Sequence, residues 1–138
     1  MIQRIQSLYL VAAALLLALF AALGDTWATA IAEDVPWLGT VGMILAVVTA
    51  ITALLSVALY KDRPRQRQVI HAAQWLDLAL VVVVLVGFYL AFDSEAFQAP
   101  TGYYLVALQP IVAYLLLRMA RQRGTADIEV VRSMDRLR

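Results

Sequence analysis

Four long runs of apolar residues follow one another along the chain, separated by short polar segments. The runs cover about residues 5–24, 37–60, 69–92 and 103–121. A helix needs roughly 20 apolar residues to cross about 30 Å of hydrocarbon, and each run is close to that length. Backbone N–H and C=O groups in hydrocarbon must be paired within the segment, which favours helices. The pattern therefore predicts an all-α integral membrane protein with four transmembrane helices.

The segments between the runs are too short to form a further domain. They cover residues 25–36, 61–68 and 93–102. Short connections make neighbouring helices antiparallel, as in up-down-up-down four-helix bundles. We therefore expect residues 1–138 to form a single transmembrane domain, with a tail over residues 122–138.

The tail has a pattern of its own. Gly124 suits a helix stop, and Thr125 and Asp127 suit a new helix start. Its apolar positions recur at helical spacing, at Val130, Val131, Met134 and Leu137. This spacing predicts a short C-terminal amphipathic helix, which lies on the membrane surface or binds a partner protein.

The basic residues all fall on one side of the predicted four-helix arrangement. They are Arg4, Lys61, Arg63, Arg65, Arg67, Arg118, Arg121, Arg123, Arg132, Arg136 and Arg138. The charged residues of the two loops on the other side are all acidic, namely Asp25, Glu33, Asp34, Asp93 and Glu95. Positive charge accumulates on the cytoplasmic side of membrane proteins. We therefore expect both termini to lie in the cytoplasm.

Composition supports lipid as the main solvent and narrows the possible chemistry. Apolar residues make up 63% of the chain and the mean hydropathy is +0.78, whereas a soluble domain has about 45–50% apolar residues. The chain has no cysteine, which excludes disulfides, thiolate metal sites and cysteine nucleophiles. Because it also has only one histidine, we expect no metal site and no cofactor.

The two ends of the chain resemble a known family. Residues 1–6 read MIQRIQ, and residues 131–138 read VRSMDRLR. With four apolar runs between these ends, the chain resembles the bacterial membrane family catalogued as domain of unknown function 4293. The resemblance implies a small protein of the bacterial inner (cytoplasmic) membrane. The family has no established activity, so the resemblance assigns no functional residue.

Asp77 is the acid that lies inside an apolar run. A carboxylate at the centre of a membrane costs about 2.5–3.5 kcal/mol on insertion scales, so such residues face the bundle interior and have partners. Counting from the ends of the runs places Gln109 and Thr52 at the same depth. We expect a polar layer of these three residues, with a hydrogen bond between Asp77 and Gln109. Its role is a clasp between helices or a relay for protons or ions.

Three polar residues of the third run have a regular spacing. His71, Gln74 and Asp77 follow one another at every third position, which spreads them over about 120° of one helix face. One interpretation is a proton path from the cytoplasm to Asp77. The alternative is that His71 lies at the level of the lipid headgroups and contacts water.

Small residues recur along the second run at helical spacing, at Gly39, Gly42, Ala46, Ala50 and Ala53. Such patterns let helix backbones approach closely. They serve either packing within the bundle or docking onto another membrane subunit.

The segment KDRPRQRQ at residues 61–68 carries the densest positive charge. Its role is either to set the orientation of the chain in the membrane or to attract anionic lipid at the cytoplasmic face. The attraction to anionic lipid contributes about 1 kcal/mol per basic side chain. We expect no nucleic-acid partner, because the segment is short and has no aromatic platform for stacking bases.

No catalytic motif stands out, and we expect no enzymatic activity. The sequence has no Gly-rich phosphate loop, no HExxH and no sensibly placed Ser-His-Asp set. We expect a non-catalytic inner-membrane protein, a scaffold, assembly or accessory subunit of a larger membrane complex. The alternative is a small transporter or proton-conducting protein that uses Asp77.

Overall fold

Helices make up the architecture of the protein. The computed structural model describes residues 2–31, 35–92 and 101–136, and this part contains helices and no strand. The helices are α1 (Ile2–Leu23), α2 (Asp25–Ile31), α3 (Pro36–Ala58), α4 (Arg63–Phe92) and α5 (Thr101–Arg136). All but α2 contain a segment long and apolar enough to cross a membrane. The predicted all-α class and the four candidate spans are confirmed, whereas the loop acids Glu33, Asp34, Asp93 and Glu95 lie outside the described residues.

The four long helices pack as a ring in which α1 and α4 each lie between α3 and α5. Gln66 at the start of α4 contacts Ser56 near the end of α3. Phe88 near the end of α4 stacks on Tyr103 near the start of α5. Neighbouring helices therefore run in opposite directions. We call the end where α3 finishes and α4 begins the basic end, since it carries Lys61 and the arginines that follow.

Each long helix turns one face to the interior and an apolar face outwards. Leu10 of α1, Leu80 of α4 and Leu117 of α5 are fully buried. On the outside of α3, Ile44 and Leu55 are 57% and 56% exposed. Apolar side chains of this size gain free energy by leaving water. An outer surface of this kind suits lipid rather than water as its solvent.

The small residues of α3 serve packing within the bundle. Gly39, Gly42, Ala46, Ala50 and Ala53 are all buried. A Cβ atom on Gly42 would lie 2.8 Å from the Trp27 ring, and one on Gly39 would lie 2.8 Å from the Ala28 Cβ. Of the two interpretations of this pattern, internal packing is confirmed. Trp27 also closes one end of the core, where it is fully buried.

Helix α4 begins earlier than the apolar run predicts. It starts at Arg63, six residues before Val69. The Arg65 backbone N–H donates to the Asp62 Oδ1 at 3.3 Å, which is the contact of a helix N-cap. Pro64 is favoured in the first turn of a helix, because its missing N–H has no partner there. The polar segment at residues 61–68 is therefore largely a helix start and not a loop.

Helix α5 continues past Gly124 to Arg136, so the predicted helix stop at Gly124 and the separate amphipathic helix are wrong. None of the described glycines has a positive φ, the backbone conformation that a glycine stop uses. The residues around Gly124 include alanine, glutamate, glutamine and arginine, which are strong helix formers. The helix reaches thirteen residues past Arg123, where the candidate span ends. That length corresponds to about 20 Å.

Candidate functional site

Polar side chains of α4 meet a basic side chain of α5 near the basic end. The Arg121 Nη1 atom donates to the Gln74 Oε1 at 3.1 Å. The same nitrogen lies 3.1 Å from the Nδ1 atom of His71. Gln74 is buried and His71 is exposed. Arg121 therefore contacts both a buried and an exposed polar side chain of α4.

Helix geometry places three of these side chains on one face of α4. His71, Gln74 and Trp75 are three and four positions apart, so they are neighbours on the helix surface. The Trp75 Nε1 donates to the His71 Nε2 at 3.3 Å. We refer to His71, Gln74, Trp75 and Arg121 together as the Arg121 cluster.

The Arg121 cluster contains more hydrogen-bond donors than acceptors. The Trp75 indole and the Arg121 guanidinium can only donate, and they approach the two ring nitrogens of His71. A neutral imidazole has one acceptor nitrogen, and a protonated imidazole has none. At least one ring nitrogen therefore presents an N–H to a second donor. One of the two approaches to the His71 ring is therefore a close contact between two donors and not a hydrogen bond.

Two pockets open beside the Arg121 cluster, along the seam between α4 and α5. One has a volume of about 90 Å³ and is lined by His71, Gln74, Trp75, Leu78, Tyr114 and Arg121. The other has a volume of about 470 Å³ and is lined by Pro64, Arg67, Gln68, His71 and Arg121. Of the four neighbouring pairs in the ring, α4 and α5 have the least extensive contact.

Asp77 lies in the interior of the bundle, as predicted. It is fully buried. Neither of its carboxyl oxygens has a hydrogen-bond partner among the described residues, and the same holds for the Gln109 Oε1. The predicted hydrogen bond between Asp77 and Gln109 is therefore not formed. Of the predicted proton path, the structure joins His71 and Gln74 through Arg121, and Asp77 lines neither pocket.

The register of α4 against α5 explains why Gln109 misses Asp77. Phe88 stacks on Tyr103 with ring centroids 6.1 Å apart, and Leu78 shares a pocket wall with Tyr114. In that register Asp77 is level with about position 115. Gln109 is six residues, or about 9 Å, further from the basic end. Counting from the ends of the apolar runs could not reveal this offset, because both helices extend beyond their runs.

Thr52 also lies outside the layer predicted for it. Because Gln66 contacts Ser56, Asp77 is level with about position 45 of α3. Thr52 is seven residues, or about 10 Å, closer to the basic end. Its hydroxyl donates to the Val48 carbonyl of its own helix at 2.7 Å. The structure therefore does not bring Asp77, Gln109 and Thr52 together at one depth.

Gln66 forms a link that sequence reasoning missed. Its side chain is buried, and its Nε2 donates to the Ser56 carbonyl at 3.0 Å. This bond satisfies one of the last four carbonyls of α3, which lack partners within their own helix. The sequence of residues 61–68 holds no signal that separates Gln66 from Gln68, which is also uncharged but is exposed.

A metal centre is absent from the described part of the chain. Among the described residues, no three His, Cys, Asp or Glu side chains come together as a metal ion would require. The polar groups at the seam are amide, imidazole, indole and guanidinium groups.

Comparisons with known proteins identify the family of the chain. No curated protein and no solved structure matches it. A family model described as "Domain of unknown function (DUF4293)" matches residues 2–137, nearly the whole chain. This match confirms the resemblance inferred from the two ends of the sequence. The protein belongs to the DUF4293 family.

Proposed function

We propose that the protein crosses the bacterial inner membrane four times, with its basic end in the cytoplasm. Four helices of sufficient length and apolarity support this arrangement. The lysine and the described arginines of α4 and α5 gather at or near one end, which is the distribution of cytoplasmic sides. With an even number of crossings, both termini lie in the cytoplasm.

The role we propose is that of a non-catalytic assembly or accessory subunit of a larger membrane complex. The observation that carries this proposal is the continuation of α5 to Arg136, thirteen residues past the candidate span. A helix that continues from a membrane span without a break holds its far part in a fixed direction. In the sequence, this extension has apolar residues at helical spacing, which is typical of a segment that docks on a partner.

The apolar outer faces of the ring offer a second contact area for such a complex. Ile44 and Leu55 on α3, and Leu85 and Tyr89 on α4, are more than half exposed. Within hydrocarbon, helices associate through close packing and not through the hydrophobic effect, so these faces accept either lipid or another helix. The extension of α5 supplies the specificity that such apolar faces lack.

The test is extraction of the full chain in mild detergent, followed by native mass measurement. We expect a species heavier than the 15.2 kDa chain, with a co-purifying protein. Glutamine at Val131 and Met134 should release that protein, because these two residues belong to the apolar positions of the extension. Glutamine at Arg132 and Arg136 is the matched control, and the protein should stay bound. A monodisperse species at the chain mass would contradict the subunit role.

A second function is favoured by one observation, the unpartnered carboxyl of Asp77. Both of its oxygens are buried without a hydrogen bond among the described residues. A carboxyl group inside a membrane span is a typical component of proton pathways in membrane proteins. Gln74, one turn closer to the basic end than Asp77, contacts Arg121 at the seam between α4 and α5.

Proton conduction through Asp77 can be measured in proteoliposomes that contain a pH-sensitive dye. The wild-type protein should dissipate an imposed pH gradient, and Asp77→Asn should abolish this leak without loss of helicity. Thr52→Val is the matched control, because the Thr52 hydroxyl donates within its own helix and lies about 10 Å away along the axis. Equal gradients with empty and protein-loaded vesicles would exclude this function.

A further inference from the structure

Buried side chains with amide, aliphatic hydroxyl or carboxyl groups lie in one half of the bundle interior. Among the described residues they are Gln6, Thr49, Ser56, Gln66, Gln74 and Asp77. In the register given above, Asp77 is the furthest of them from the basic end. Gln109, which lies further out, is only half-buried. The buried side chains of this kind therefore stop at the depth of Asp77.

Four of these residues form a track between α3 and α4. Thr49 and Ser56 are seven residues apart, or nearly two full turns, so they share one face of α3. Gln66 and Asp77 are eleven residues apart, or about three turns, so they share one face of α4. The contact of the Gln66 amide with the Ser56 carbonyl shows that the two faces meet at the basic end. We call these four residues the polar track.

The polar track offers hydrogen-bond acceptors to water. The Thr49 hydroxyl donates to the Leu45 carbonyl at 2.7 Å, and the Ser56 hydroxyl donates to the Ala53 carbonyl at 2.6 Å. Each hydroxyl oxygen keeps a lone pair that can accept a further hydrogen bond. The two carboxyl oxygens of Asp77 have no partner among the described residues. Buried polar groups of this kind are the groups that internal water binds in proteins.

A tryptophan ring lies at the outer end of the polar track. Trp27 is fully buried, and its helix α2 contacts all four long helices. Gly42 is seven residues before Thr49, so it continues the same face of α3. A Cβ atom on Gly42 would lie 2.8 Å from the Trp27 ring. Since Asp77 is level with about position 45 of α3, the ring begins about 4.5 Å beyond Asp77.

Aromatic side chains continue from Trp27 towards the outer end. The Phe20 ring centroid is 5.9 Å from that of Trp27. The Tyr103 side chain contacts that of Trp27 and stacks on Phe88. Apolar constrictions in membrane proteins can exclude water and thereby close a pathway. We call Phe20, Trp27, Phe88 and Tyr103 the aromatic plug.

We infer that water reaches Asp77 from the basic end along the polar track, and that the aromatic plug closes the bundle on the outer side. Trp27 forms the inner surface of this plug. As a barrier to water, the plug does not depend on any function of Asp77. As a gate for protons, it rests on the proton conduction proposed above, and Trp27 then limits the rate of that conduction.

The test uses silver ions, which are close to water in size and cap cysteine thiols in water. The full-length variant Asp77→Cys carries a single thiol, because the chain has no cysteine of its own. Sealed membrane vesicles of both orientations are treated with silver nitrate, and a maleimide dye counts the uncapped thiols after unfolding. The exposed positions in Gln68→Cys and Thr29→Cys identify which end of the bundle faces the silver. We expect capping of Asp77→Cys to be about tenfold faster from the basic end than from the outer end.

Trp27→Ala, combined with Asp77→Cys, should raise the rate of capping from the outer end about tenfold. Trp37→Ala is the matched control and should leave that rate unchanged, because Trp37 is 63% exposed at the start of α3. Circular dichroism checks that both variants keep the helicity of the parent. The comparison of the two ends uses an intact Trp27, so it stands even if Trp27→Ala unfolds.

Two results would overturn the one-sided access: equal rates of capping from both ends, and no capping from the basic end. An unchanged outer rate in a folded Trp27→Ala variant would overturn Trp27 as the barrier.

The pH gradient across proteoliposomes separates the gate from the proton function. With Asp77 intact, Trp27→Ala should dissipate an imposed gradient about tenfold faster than the wild type, and Trp37→Ala should not. A leak that is equal in the wild type and in Trp27→Ala would overturn the gate. If neither protein leaks, proton conduction is excluded, whereas the silver experiment still decides whether water reaches Asp77 from one end.

Discussion

Asp77 is a carboxylic acid enclosed by the helix bundle, and the described residues give its oxygens no hydrogen-bond partner. A buried polar group without a partner costs roughly 1–3 kcal/mol, because it has lost its hydrogen bonds to water. Packing alone therefore does not explain an acid at this position. Its position inside the bundle was predictable, because a charged group at membrane depth has no favourable place outside.

Replacing Asp77 with leucine should not destabilise the protein, and we expect a higher melting temperature in detergent. The reason is that leucine removes the unpartnered carboxyl and restores apolar contacts, a change worth about 1–3 kcal/mol. Thermal unfolding followed by circular dichroism measures the effect. A lower melting temperature for Asp77→Leu would mean that the carboxyl has a partner that stabilises the fold.

Gly42→Ala should destabilise the fold by about 1–3 kcal/mol, the usual cost of overpacking a tight core. A Cβ atom at this position would lie 2.8 Å from the buried Trp27 ring. Gly102→Ala is the matched control, since a Cβ atom there would meet nothing within 4 Å. Thermal melts of the two variants should therefore differ, and equal melting temperatures would contradict the close approach of α2 to α3.

At the scale of the elements, the sequence predicts the apolar parts of the helices better than their ends. Hydrocarbon thickness sets the length of an apolar run, so the four runs identify α1, α3, α4 and α5. The start of α4 at Arg63 and the extension of α5 to Arg136 lie in polar sequence. In polar sequence, capping residues and helix propensity determine where a helix begins and ends. The N-cap preference of Asp62 and the helix-stop preference of Gly124 compete there with the helix propensities of the neighbouring residues.

Gly124 tests whether α5 is one helix. In a continuous helix, Gly124→Ala should raise stability by about 1 kcal/mol, because alanine is the better helix former. If Gly124 instead ended the helix in a left-handed conformation, alanine would be strained there and stability would fall. Helicity and thermal melting by circular dichroism distinguish the two cases. Gly124→Pro serves as the control, and it should reduce helicity because proline breaks a continuous helix.

For the whole molecule, the direction of the helices was predictable from the sequence, whereas their axial offset was not. Short connections force alternating directions. The offset of α4 against α5 depends on contacts such as Phe88 with Tyr103, and residue counts do not contain it. The contact of Arg121 with Gln74 was missed for the same reason. The sequence signal for this contact was the presence of polar residues on one face of α4 together with arginines near the end of the last apolar run.

The proposed orientation predicts which positions a membrane-impermeant thiol reagent can reach in intact cells. Since the chain has no cysteine of its own, single cysteines can be introduced without background. A cysteine at Thr29 in α2 should be labelled from outside, and one at Gln68 should be labelled only after the cells are opened. Gln68 is exposed, whereas Gln66 is buried and would give a false negative. Labelling of Gln68 in intact cells would contradict the orientation.

The ring of helices closes between its first and last members, since α1 and α5 have the most extensive contact of the four neighbouring pairs. Because the ribosome makes α1 before α3, α4 and α5, the side of α1 that packs against α5 stays uncovered until α5 has been synthesised. Segments exposed during synthesis are open to misassembly. Arrival of α5 is thus the step at which the newly made chain becomes a closed bundle.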